Sequence, residues 1–165
     1  MKLNHDQSLE LARLCCRALD AKKAEDLRVI DVSELSSITN FLIVATATSE
    51  PHVRALRVEL EKALDSSKTQ IVGVETASES GWTVMDAFDV MVHIFTAETR
   101  SRYRLEHLWR DGNEVSARLL LDGKALPPAP KAKPRIAKAG KAKGRAKAPK
   151  AKVVKKAPRK KKARR

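Results

Sequence analysis

The chain has 165 residues, 42% of them hydrophobic, and a net charge of +14, which suits one folded domain plus an appendage. Its only cysteines, Cys15 and Cys16, are adjacent; a bridge between neighbours cross-links nothing useful, so a disulfide scaffold is excluded and two thiols in a reducing compartment are implied. The charge is split: residues 124–165 hold 19 Lys or Arg and no acid, leaving 15 basic against 20 acidic residues in 1–123, a net of −5, so an acidic globule carries a basic arm of the kind that binds nucleic acid.

Leu11, Leu14, Cys15, Ala18 and Leu19 recur at helical spacing and predict a helix over residues 5–22, with Asn4 or Asp6 as its cap. "LRVIDV", 27–32, reads as a short strand, and "SELSSIT", 33–39, as a turn. "NFLIVATAT", 40–48, is a nearly continuous apolar run and predicts a strand buried on both faces. Ser49 then caps a helix with Pro51 in its first turn, and Val53, Leu56, Leu60 and Leu64 form its buried stripe. "IVGVE", 71–75, is a further strand and 76–81 a loop. "WTVMD" and "DVMVHIF" are joined only by Ala87-Phe88, so they form an antiparallel pair. Residues 96–112 read as one helix, capped by Thr96 or Thr99 and stopped by Gly112.

The order α-β-β-α-β-β-β-α predicts an α/β domain over 1–123: a mixed five-stranded sheet flanked by helices. From Leu126 the composition collapses to Ala, Lys, Pro, Arg and Gly, with too few large apolar residues to offset ordering entropy. Residues 124–165 are therefore expected to be a disordered basic tail. No apolar run approaches the length needed to cross a bilayer. The N-terminus has no signal-peptide core, and Asp6 and Glu10 argue against a transit peptide, so a cytoplasmic protein without membrane attachment is expected.

Asp86, Asp89 and His93 are polar residues in an apolar stretch, and a catalytic or metal role has to be weighed. Strand alternation puts Trp82, Val84 and Asp86 on one side, and Asp89, Met91, His93 and Phe95 on one side of the next strand. The two aspartates flank the turn, where Asp commonly bonds backbone amides. The set reads as a turn-stabilising pair and one satisfied sheet histidine. The other histidines are scattered over helices, so no zinc set converges by spacing. No GxSxG elbow and no Gly-rich phosphate loop is present. Neither a catalytic site, a metal nor a cofactor is expected.

"SSITNFLIVATATSEPHVRAL", "GVE" and "GWTVMDAFDVMVHIFTAETRSRYRLEHLW" resemble the ribosomal silencing factor family, RsfS or Iojap, over about residues 5–110. The specific part is the ordered set Trp82, Asp86, Asp89, Val92-His93-Ile94-Phe95, Arg100, Tyr103, Leu105-Glu106 and Leu108-Trp109. The resemblance implies a nucleotidyltransferase-like fold without its catalytic set and a non-enzymatic role. It implies binding to the fourteenth protein of the large ribosomal subunit, on the subunit-joining face, which obstructs the small subunit and represses translation. Three positions depart from the family pattern: Asn40 stands for an Asp, Ala47 for a Gly and Phe88 for a Gly in the turn. The last two bear on local backbone, because Gly permits positive φ and Ala and Phe resist it.

Trp and Tyr are frequent interface anchors, and both Trp and the single Tyr fall between 82 and 109. Trp82, Asp86, Asp89, Tyr103 and Glu106 are the candidate partner-binding patch, its acids suited to steering a basic ribosomal protein. Trp82 is expected to be exposed and Trp109 to pack in the core beside Leu105 and Leu108, with His93 behind the patch. An exposed aromatic patch also makes a homodimer of the free protein plausible. In the tail, Lys155, Lys156, Arg159, Lys160, Lys161, Lys162, Arg164 and Arg165 are the candidate phosphate contacts, with ribosomal RNA as the nearby polyanion. Two competing readings are a nucleotidyltransferase-like enzyme and a nucleic-acid-compacting protein acting through the tail.

Overall fold

Asn4 starts the first helix, and its side chain accepts the Gln7 N–H while the Gln7 side chain accepts the Asn4 N–H. These reciprocal bonds satisfy two of the free donors at a helix start. The computed structural model describes residues 3–77 and 80–124. Helix α1 spans His5–Ala21 and is followed by strand β1, Glu25–Asp31, and strand β2, Phe41–Ala47. Ser49 caps helix α2, Glu50–Ser66, by accepting the His52 N–H. Then come β3 (Gly73–Ala77), β4 (Trp82–Ala87) and β5 (Val90–Thr96). Two short helices, α3 (Ala97–Tyr103) and α4 (Leu105–Leu108), precede β6 (Asn113–Val115) and α5 (Ala117–Leu121).

The strands form one mixed sheet in the order β3-β4-β5-β2-β1-β6. Strand β2 lies at its centre, parallel to β5 and antiparallel to β1, and all seven of its residues are buried, as its unbroken apolar run requires. Val29, Phe41, Ile43, Ala45, Val92 and Ile94 pack with the apolar stripes of α1 and α2 and with Leu120 of α5. Alternate residues, Ile30, Leu42, Val44 and Phe95, form a second, smaller cluster with Trp82, Met91, Leu105 and Trp109. One face of the sheet thus carries three helices, and the other is covered in part by the α3–α4 corner.

The sheet has six strands where the sequence predicts five. The extra strand, β6, is only three residues long and pairs antiparallel with β1, so it is too short to leave a period-two signal of its own. Strand β3 begins at Gly73 rather than at 71 and runs to Ala77. The single helix expected over 96–112 is broken at Arg104, which takes a left-handed φ of 45°. The break turns Leu108 outward, leaving it 76% exposed, against its expected place in the core; Trp109 packs on the second cluster as expected. The tail, 124–165, lies outside the described residues beyond Lys124.

Arg100 fixes the corner. Its side chain is buried, and Nη1 donates to the Asp26 carbonyl and to Thr46 Oγ1, both at 2.6 Å. Nε and Nη2 converge on one Glu106 oxygen at 2.7 and 2.6 Å, and Nη2 lies 3.0 Å from Asp26 Oδ2. Asp26 sits at a register shift in β1 with φ of 41°, a conformation Asp tolerates better than most residues. One guanidinium therefore ties β1, β2, α3 and α4 together, with the planar fork that Lys lacks. Arg100→Ala leaves Glu106 and the Asp26 carbonyl without this partner and is expected to lower the unfolding free energy by about 3 kcal/mol. Arg100→Lys should recover less than half of that loss; urea denaturation of the three chains measures both.

Candidate functional site

Gly81 sets the start of β4. Its φ is 63°, its carbonyl accepts the Thr96 N–H at 2.8 Å, and a Cβ there would meet Thr96 Oγ1 at 2.6 Å. From this point β4 alternates: Thr83, Met85 and Ala87 are buried, whereas Trp82, Val84 and Asp86 are half-buried on the opposite face. That is the face only partly covered by the α3–α4 corner. The register places Trp82 beside Phe95, Val84 beside His93 and Asp86 beside Met91.

Trp82 is held from several directions. Its ring stacks on Phe95 at 5.1 Å between centroids and meets Tyr103 at 5.0 Å in a tilted contact. The indole Nε1–H donates to His93 Nδ1 at 3.2 Å. That bond places the proton of a neutral imidazole on Nε2. Burial pushes the His93 pKa down from 6.5 to about 4, because a charged imidazolium loses its hydration there. His93 is thus the satisfied sheet histidine the sequence predicts. Tyr103, on the last turn of α3, leaves half its surface exposed. The expected exposure of Trp82 is met only in part, since three neighbouring rings cover some of it.

The remaining patch residues divide. Asp86 accepts the Phe88 N–H at 2.9 Å and stays half-buried at the turn. Asp89 is buried, against its expected place in a surface patch. Its carboxylate accepts the Leu3 N–H at 2.8 Å and the Asn40 amide at 3.2 Å, while Asn40 also donates to Ser8 of α1 at 2.8 Å. Asp89 does not share a face with Met91 and His93, because it precedes β5 and follows the left-handed Phe88, where strand alternation does not apply. Glu106 is mostly buried and bound by Arg100. Sequence reasoning put Val84 and Met91 on the faces of Trp82 and His93 but named neither them nor exposed Phe88 and Leu108 as candidates for the patch. Val84 and Met91 were signalled by their period-two relation to Trp82 and His93; Phe88 and Leu108 had no local signal.

Two of the three positions noted against the resemblance, Asn40 and Ala47, have a local account, and Phe88 does not. Asn40 puts an amide donor against Asp89, where a carboxylate would add a second negative charge. Ala47 lies in regular strand without positive φ, so a methyl fits. Phe88 keeps a glycine-like φ of 62°. Among the described residues, no group of three or more His, Cys, Asp or Glu is placed to hold a metal ion. Cys15 and Cys16 are buried in α1, and burial raises both thiols, Cys16 to about 12, so they stay protonated and unreactive. The tail candidates Lys155, Lys156, Arg159, Lys160, Lys161, Lys162, Arg164 and Arg165 lie outside the described residues. Among the described residues no helix is long and apolar enough to cross a membrane.

Residues 5–161 match the family described as "Ribosomal silencing factor during starvation", a range extending beyond residue 110 into the basic tail. The chain is 34% identical over 106 residues to the ribosomal silencing factor RsfS of Halalkalibacterium halodurans, covering 64% of this chain and 91% of that protein. It is 31% identical over 109 residues to RsfS of Bacillus subtilis, covering 66% and 90%. A crystal structure of a Chromobacterium violaceum protein superposes with a TM-score of 0.59 at 36% identity, over 61% of this chain and 84% of that one.

The His93 shift has a consequence for stability. With a folded pKa of about 4 and an unfolded one of 6.5, the unfolded chain takes up a proton first as pH falls. Stability is intact above pH 6.5 and is lost progressively down to the folded value. Between pH 7 and pH 5 the loss due to this one residue is expected to be about 2 kcal/mol. His93→Gln should remove that component, so the difference between the two chains' urea midpoints should narrow on going from pH 7 to pH 5.

Proposed function

The chain belongs to the ribosomal silencing factor family, and from that premise we propose that it represses translation by occupying the subunit-joining face of the large ribosomal subunit. The observation that supports this reading is the half-exposed Trp82–Tyr103 pair on a sheet face that the fold leaves partly uncovered. Large aromatic side chains fixed in place supply contact area at low entropic cost. Half-buried Asp86 and exposed Glu75 and Glu98 lie on the neighbouring strands and helix, and they suit a basic ribosomal protein by steering and register. The partner proposed is the fourteenth large-subunit protein. Trp82, Asp86 and Tyr103 make the contact; Asp89 and Glu106 hold the turn and the corner that present them.

Blocking requires no bond to be made or broken. A bound domain of this size excludes the small subunit by volume, so nucleotides are not consumed. A nucleotidyl-transfer reading would need carboxylates converging on one metal and substrate. Asp86 is engaged by its own turn, and Asp89 by the start of α1, so neither is free for that task. The proposed role of the tail is separate: its Lys and Arg would add a salt-sensitive hold on ribosomal RNA through counterion release. Self-association of the free protein through the same aromatic face is part of the proposal, since two copies would cover what the large subunit otherwise covers.

Sedimentation with isolated large subunits tests the reading. Trp82→Ala and Tyr103→Ala are each expected to weaken binding by at least about tenfold, and a chain ending at Lys124 should keep the site while losing part of its salt dependence. Added protein should reduce the yield of joined ribosomes without nucleotide hydrolysis. Loss of binding on tail removal, with both aromatic variants unaffected, would show that the tail rather than the sheet face makes the association.

A further inference from the structure

The turn between β4 and β5 contains an unexplained cost. Phe88 has φ of 62°, a left-handed backbone in which a bulky residue is an outlier. Four other described non-glycine residues share positive φ: Lys23, Asp26, Lys68 and Arg104. Lys23 and Lys68 follow helix ends, where such a conformation closes the last turn. Asp26 accepts a hydrogen bond from buried Arg100 through its carbonyl, and the Arg104 N–H caps α3. Each of these has a local return. Phe88 is the only aromatic among them, and the residue is 44% exposed, so much of its surface stays in water while its backbone is strained.

The surroundings hold the turn rigidly. Asp86 Oδ1 accepts the Phe88 N–H at 2.9 Å, and the Asp89 carbonyl accepts the N–H groups of Asn40 and Phe41 at 2.8 and 3.0 Å. On the other side, exposed Val72 donates its N–H to the Asp86 carbonyl. The ring is therefore presented from an over-determined backbone, a pattern associated with function rather than with packing. The Phe88 N–H is held by Asp86, which lies on the strand face that carries Trp82 and Val84. Tyr103 and Trp82 lie at one end of β4, Val84 and Asp86 follow along the same side, and Phe88 stands past the other end. At about 3.3 Å per residue, this stripe runs on the order of 20 Å, the scale of a specific protein interface.

We propose that Phe88 is a specificity-determining contact of this face: an apolar knob that enters an apolar recess, flanked by basic groups, on the same large-subunit protein that Trp82 and Tyr103 engage. The assignment rests on the docking reading above. The partner's basic groups face Asp86, which lies between the two aromatic ends of the stripe. Strain retained in the free protein is the cost of keeping the ring outward.

The test uses the full chain with Phe88→Asn and Phe88→Gly, beside Trp82→Ala. Asn and Gly both tolerate the left-handed backbone. Each Phe88 variant is expected to melt higher, by roughly 2–6 °C, and yet to bind isolated large subunits about tenfold more weakly. Opposite signs for stability and binding separate a docking role from a structural one. A lower melting temperature in both variants overturns the strain argument. Unchanged binding in the Phe88 variants, with Trp82→Ala weakened, overturns the assignment while the docking face stands. Unchanged binding in all three overturns both. An effect confined to self-association of the free chain assigns the knob to a second copy and also overturns the proposal.

Discussion

A single buried guanidinium organises the part of this protein that faces outward. Arg100 reaches from α3 to the Asp26 carbonyl at the irregular point of β1, to Thr46 on the central strand and to Glu106 on α4. Those bonds tie the α3–α4 corner to β1 and β2, beside the Thr96–Thr99 hydroxyl bond that joins β5 to α3. The corner carries Tyr103, and Tyr103 closes one side of the Trp82 ring. The chain of dependence runs from a buried charge, through a helix break at Arg104, to an exposed aromatic pair. A buried charge is an expensive way to join elements, since its desolvation must be met by near-complete pairing. It has the merit of fixing direction, which apolar packing does less well.

The sheet divides the labour. Its helix-covered face is a broad apolar layer in which Leu56, Leu60 and Leu64 of α2 and Leu19 of α1 are fully buried. The opposite face has a small cluster and a partial cover. An antiparallel ribbon with one solvated face is ordinary, but here the less covered side of β4 and β5 carries Trp82, Val84 and Met91 alongside Asp86. Half-buried apolar side chains of that kind suit the docking role proposed for this face. The larger apolar layer of the domain therefore lies on one side of the sheet and the proposed docking face on the other, so changes to that face need not unfold the protein.

What was legible in the sequence follows the range over which each feature is determined. The stripes of α1 and α2, the Ser49 cap and the full burial of β2 are written in residues a few positions apart and are legible there, whereas the first cap is legible only as Asn4 or Asp6 and is Asn4 in the structure. The hairpin of β4 and β5 was legible because a two-residue connection leaves one geometry. The features that escaped depend on distant partners. Asp89 is buried by Leu3, 86 positions away, and by Asn40, 49 positions away. The helix break at Arg104 belongs to a corner that Arg100 anchors to Asp26, 74 positions away. Strand β6 exists because β1 offers an edge to three residues, which alone have no preference to be a strand. Trp82, Asp86 and Tyr103 were placed on one surface by period and composition; Glu106 and Asp89 matched the same sequence pattern and proved to be its support.

The proposed blocking role depends on residence rather than on chemistry, and residence depends on how little the surface must reorganise when it docks. Ordering a free side chain at an interface costs on the order of 1 kcal/mol. Trp82 is already ordered: Phe95 lies under it, Tyr103 beside it, and neutral His93 accepts its N–H. This gives His93 a use that no catalytic reading supplies. An imidazolium would turn an acceptor into a second donor facing the indole, so the low pKa that burial imposes keeps the aromatic anchor in place throughout the neutral range. The same sequence segment that resembles a catalytic cluster, with two acids and a histidine in an apolar run, is accounted for by three separate mechanical tasks: closing a turn, latching the first helix and steadying a tryptophan.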